Sequence, residues 1–129
     1  MRIMKKVPVK VVLTETERNK QSDRLRNQRK QVETEKEQLH FEQKKLEHKY
    51  GTLPSKIEER MSQEIKQREN KVEAISYQLE QLDILPESYE LTVEEVDSVI
   101  DIEEGMGWET LKDREIVIED GVIKRVRDV

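Results

Sequence analysis

Six basic residues crowd one short stretch, Arg18, Lys20, Arg24, Arg26, Arg29 and Lys30, with Asp23 the single acid among them. Cations at this density could neutralise the phosphates of an RNA strand and give an affinity that falls with salt. No aromatic residue is interleaved, so stacking on bases is not implied. A charged, solvated helix face is the commoner meaning of such a run. A second basic group surrounds "HKYGTLPSKIEER", residues 48–60, where Lys45, Lys49, Tyr50, Leu53 and Lys56 are candidate contacts for a partner, with Leu53 expected to be exposed at the apex.

Catalytic chemistry finds little material. With no cysteine, thiolate nucleophiles, disulfides and cysteine-ligated zinc are excluded. His40 and His48 stand eight residues apart, about two helical turns, without the i,i+4 spacing of a metal pair. The acidic run Glu94, Glu95, Asp97, Asp101, Glu103, Glu104 does not follow an EF-hand spacing and reads as a solvated sheet edge. "GMGW" lacks both the phosphate-loop lysine and the GxGxxG pattern. A protein with no enzymatic activity and no cofactor or metal is expected.

The elements that carry these residues follow from periodicity. Residues 14–50 contain no Gly or Pro, and "TETE" offers a capping box between Thr14 and Glu17. Leu25, Val32, Leu39 and Leu46 recur every seven residues, the mark of a coiled-coil seam. The remaining seam positions of that helix are polar, so it needs a partner. Ile65, Val72, Ile75, Leu79 and Leu82 supply one. Folding the chain back at the break pairs Leu39 with Ile65, Val32 with Val72 and Leu25 with Leu79, and the residue numbers of each pair total 104. A flexible linker would impose no such constancy. Gly51 suits a left-handed helix end, Pro54 cannot continue the first helix, and Ser55 with Glu58 reads as a second capping box. The same register sets Lys36 against Arg68 and Arg29 against Ile75, with Glu33, Glu35, Glu64 and Glu69 near enough to pair with the cations.

Both chain ends read as strands. Val7, Val9, Val11 and Leu13 alternate, and Pro8 argues for an edge position. "YELTV" and "SVIDI" return to period two, and "REIVIEDGVIKRV" is a hairpin around Asp120-Gly121. That turn is either a two-residue loop or a type I turn with a glycine bulge. Trp108 and Leu111 are expected in the core. Residues 1–13 carry four bases and no acid, whereas residues 83–129 carry five bases and fifteen acids, so a basic strand should lie beside acidic ones.

The fold class expected is α+β: a long antiparallel helical hairpin, a coiled coil, projecting from a small antiparallel β-sheet formed by both chain ends. Residues 1–13 and 83–129 make the sheet domain, and residues 14–82 make the hairpin with its tip at 51–54. "MRIMKKVPVKVVLTE" reads as a strand instead of a secretory leader, and no apolar run approaches the ~20 residues of a membrane span. A cytoplasmic protein is expected.

The segment "GMGWETLKDREIVIEDGVIKRV", together with the start "KKVPVKVVLTE", resembles the YlqD family of small bacterial proteins. The resemblance implies a cytoplasmic protein of Gram-positive-like bacteria. Because genes of that family often lie among those for ribosome maturation and tRNA methylation, it implies a role near the ribosome. It brings no catalytic residue. The expected function is an interaction or scaffold protein with a protein partner, RNA or the ribosome as further partners, and a homo-oligomer as one state. The alternatives are a prefoldin-like holdase and direct RNA binding through the basic residues of the first helix.

Overall fold

Thr14 sets where the first helix begins. In the computed structural model, which describes residues 1–127, strand β1 (Arg2–Val12) ends two residues before helix α1 (Glu15–Tyr50). The Thr14 carbonyl accepts the first helical hydrogen bond, from the Arg18 amide at 2.8 Å, and its hydroxyl accepts from the Glu17 amide at 3.1 Å. This satisfies a donor that a helix start leaves unpaired. The same hydroxyl donates to the Asp120 carboxylate at 2.6 Å. The Thr14 amide donates to the Val12 carbonyl at 2.8 Å.

Helix α1 closes at Gly51, whose φ of 79° is the left-handed conformation expected of it. Its amide donates to the Glu47 carbonyl at 2.8 Å. Helix α2 (Ser55–Ile84) then begins one residue earlier than a Ser55 cap would require. The carbonyl of Pro54 accepts from the Ile57 and Glu58 amides, so Pro54 takes the cap position and Ser55 is the first helical residue. Proline is tolerated at the cap because it still offers its carbonyl, although it brings no side-chain oxygen to accept from the first amides.

The two helices pack as an antiparallel hairpin. Arg29 donates to the Ser76 hydroxyl at 3.2 Å, and Arg68 lies 3.4 Å from the Glu35 carboxylate. These pairs total 105 and 103, on either side of the expected 104. Leu25, Val32, Met61, Ile65, Ile75 and Leu82 are buried, and Leu39, Leu46, Val72 and Leu79 are half-buried. The seam read from the sequence is therefore the one the hairpin uses.

The four strands β1, β2 (Glu90–Asp101), β3 (Glu115–Glu119) and β4 (Val122–Arg127) form one sheet in the order β2-β1-β3-β4. "YELTV" and "SVIDI" thus belong to one long strand. The sheet is mixed, not purely antiparallel: β1 and β3 run parallel over Val9–Val11. The connection through residues 102–114 carries the chain past β1 to its other edge, and that reverses the expected direction of pairing. Pro8 consequently sits on an inner strand, but just outside the three residues that face β3. There its missing donor breaks no bond to β3.

Asp120 and Gly121 both have positive φ, 48° and 82°, and Glu119 faces Val122 directly. This is the two-residue loop, matched to strand twist. Leu13 and Val117 are the most deeply buried side chains, accompanied by Val7, Val9, Val11, Val12, Ile100 and Leu111. Trp108 is 62% exposed and lies outside this core, contrary to expectation. It precedes a single 3-10 turn (Glu109–Leu111), and that short turn buries only its Leu111.

Both sheet edges are guarded. On β2 a bulge falls at Val93, where Val9 faces Glu94 and Lys10 faces Thr92. On β4 another falls at Lys124, where Val117 faces Arg125 and Ile118 faces Ile123. Bulges and charged side chains discourage edge-to-edge pairing.

By contacts the chain forms two compact units, Met1–Asn19 with the residues from Leu85 onward, and Lys20–Ile84.

Candidate functional site

Several charges of the β-rich unit are held in pairs. The basic strand does lie beside the acidic one: Arg2 faces Asp101, with a 2.9 Å ion pair, and Lys6 faces Asp97. Glu115 is the centre of a larger network. Its buried carboxylate lies 3.0 Å from the Lys10 ammonium and accepts from Arg125 at 2.9 Å, and Arg127 stands 3.9 Å away. Arg125 also donates to Glu90 at 2.9 Å. One residue from each strand (Glu90, Lys10, Glu115, Arg125) thus joins a single chain of charge-assisted bonds. The hydrogen bonds from Lys10, then from Arg125, hold the Glu115 carboxyl below the ordinary glutamate range. Glu115 and then Glu90 raise Arg125 in turn. Each charged group of this network is bound to a residue of another strand, which makes it a latch across the sheet.

No group of three or more His, Cys, Asp or Glu side chains among the described residues could hold a metal ion. Among the described residues, no helix is long and apolar enough to cross a membrane.

The basic residues of α1 do not converge on one face. At about 100° per residue, Lys20 and Arg24 lie close together, Arg26 and Arg29 lie roughly opposite, and Lys30 falls between the two groups. Most are also engaged locally. Arg24 donates twice to the Gln21 side chain, Arg26 lies 3.7 Å from Asp23, and Arg29 bonds Ser76. In the other unit, Arg18 donates to the Leu85 carbonyl at 2.6 Å. Lys20 and Lys30 are exposed.

The turn between the helices looks different. Lys45, Lys49, Tyr50 and Lys56 are all exposed, as expected. Tyr50 is 63% exposed, and the Lys49 ammonium lies 5.3 Å from the centre of its ring. That separation is within cation–π range. Residues 44–56 carry four lysines against one glutamate. Leu53 departs from expectation: it is only 6% exposed and cannot offer an apolar contact at the apex. An apolar side chain in a four-residue connection folds inward to close the end of the hairpin, where its burial is worth about 1.5–3 kcal/mol.

Sequence reasoning also missed Phe41. It is 68% exposed on α1. The signal was available, since Phe41 lies two residues after the seam residue Leu39 and therefore about 200° round the helix from it.

Against known proteins, residues 1–127 match the family described as YlqD protein. "Uncharacterized protein YlqD" of Bacillus subtilis (strain 168) is 34% identical over 128 residues, covering 98% of each chain. A crystal structure of a protein of unknown function from Synechococcus sp. WH 8102 has a TM-score of 0.78 at 17% identity, covering 99% of this chain and 95% of that one. At that identity the likeness concerns the fold alone. The match over residues 1–127 and the 34% identity along nearly the whole chain agree with the strand and turn motifs described above: the chain belongs to the YlqD family.

Proposed function

We propose that this chain is a non-enzymatic, cytoplasmic interaction protein that holds an acidic segment of a protein partner at the turn between α1 and α2. The observation that carries this reading is Tyr50, 63% exposed with the Lys49 ammonium 5.3 Å from its ring. An exposed aromatic ring among cations is the kind of residue that anchors protein interfaces. Lys45, Lys49 and Lys56 supply the charge that an acidic segment would meet, and they would speed its encounter. The family resemblance motivates a partner from ribosome or RNA maturation. A prefoldin-like holdase has less support, since the turn is lysine-rich and its one leucine is buried. Direct RNA binding has less support too, because the bases of α1 are spread round the helix and mostly engaged.

The test is crosslinking and recovery of the full chain from its own cells, with nuclease treatment before recovery. The expected result is a protein partner that survives nuclease and is lost with Tyr50→Ala or Lys56→Glu, both of which retain native circular dichroism. Recovery unchanged by both substitutions, or abolished by nuclease, overturns the proposal.

A further inference from the structure

Phe41 is the chain's one phenylalanine, and it stands on the side of α1 turned away from the seam with α2, 68% exposed. A large apolar ring on the solvent side of a charged helix has no role within its own hairpin. Shallow hollows flank it. One is lined by Glu37, His40, Phe41 and Lys44, the other by Thr34, Glu37, Gln38, Phe41 and Glu42.

Charge along the helix changes sign at this residue. Residues 33–42 carry four acids and one base, whereas residues 44–49 carry three bases and one acid. From this polarity we propose that α1 docks against α1 of a second copy, antiparallel, about a two-fold axis at Phe41. Facing residues then have numbers that total 82, with the two Phe41 rings meeting at the centre. Glu37 faces Lys45 of the second copy, Glu33 faces Lys49, Gln38 faces Lys44 and Thr34 faces His48. The outward positions map onto outward positions, and symmetry repeats every pair. The result is four Glu–Lys pairs around an aromatic centre, an isologous interface. A parallel arrangement would set acids against acids and bases against bases, so charge selects the direction.

This surface overlaps the proposed partner contact at Lys45 and Lys49, but Tyr50 and Lys56 belong to the turn alone and Phe41 and Glu37 to the dimer alone. The two readings therefore fail independently.

Sedimentation equilibrium of the full chain, from micromolar to millimolar concentration, tests it. The average mass is expected to rise from 15.4 kDa toward that of two chains. Phe41→Glu should weaken the dimer by about tenfold or more, since it removes the ring pair and sets two like charges together. Glu37→Lys alone and Lys45→Glu alone should each weaken it, and the double swap should restore it. Phe41 lies outside the buried seam, so its variant keeps the hairpin's helical circular dichroism. Tyr50→Ala should leave the mass curve unchanged. A wild-type chain that stays at single-chain mass throughout, a dimer that persists in Phe41→Glu, or a double swap that fails to restore association overturns the proposal.

Discussion

The Arg68 guanidinium of α2 lies 3.4 Å from the Glu35 carboxylate of α1. The pair marks the register of the hairpin and also a layer with two half-buried cations. Arg68 occupies a seam position opposite Lys36, and both are half-buried. Two cations share that layer, and Glu35 answers one of them from the side. A half-exposed ion pair of this kind contributes only about 0.2–1 kcal/mol. Arg68→Leu is therefore expected to stabilise the protein, by about 0.5–1.5 kcal/mol from added apolar burial. Urea denaturation followed by helical circular dichroism measures this, and a loss of stability would show that the ion pair outweighs the burial.

At the turn, Gly51 and Leu53 contribute by different means. A Cβ at Gly51 meets nothing within 4 Å, so Gly51→Ala costs only the left-handed backbone, about 1–2 kcal/mol. Leu53→Ala opens a buried site and should cost more, about 2–4 kcal/mol. Equal or reversed losses in the same denaturation series would contradict the burial of Leu53.

The Glu115 latch predicts a specific acid response. Its carboxyl is held below the ordinary range in the folded chain, first by Lys10 and then by Arg125. The stabilisation is complete above the unfolded glutamate value of about 4.3, and falls away as pH drops through the lower folded value. Glu115→Gln should thus lose stability at neutral pH and show a flatter decline in acid than the parent. Identical acid profiles for the two proteins would remove Glu115 from the account.

The spread of the α1 bases round the helix makes a prediction about nucleic acid. The full chain should retain no RNA at low ionic strength, and Arg26→Glu with Lys30→Glu should change nothing. Binding that falls steeply with salt and is lost in that double variant would instead identify a phosphate-contacting surface.

The hairpin was legible in the sequence because two independent spacings had to agree. The sevenfold recurrence of Leu25 to Leu46 and the alternating spacing of Ile65 to Leu82 admit one common register, and Arg29–Ser76 and Arg68–Glu35 bracket it. The sheet was legible as strands but not in its pairing. Alternation in β1 marks which side chains are buried, yet says nothing about which strand takes its second edge. That choice depends on the path of residues 102–114. Leu53 and Trp108 were misplaced for a related reason: both lie in short irregular segments, where burial is set by how the backbone folds and no periodicity reports it. Phe41 differs. Its outward position was implicit in the same heptads, which were read only for their inner face.

The proposed contact at Tyr50 is tested most directly by a photo-crosslinking residue placed there in the full chain and activated in living cells. The control is the same probe at Tyr77, which is 61% exposed on α2. A discrete protein adduct is expected from position 50, and none of that mass from position 77. The same adducts from both positions, or none from position 50, would contradict it.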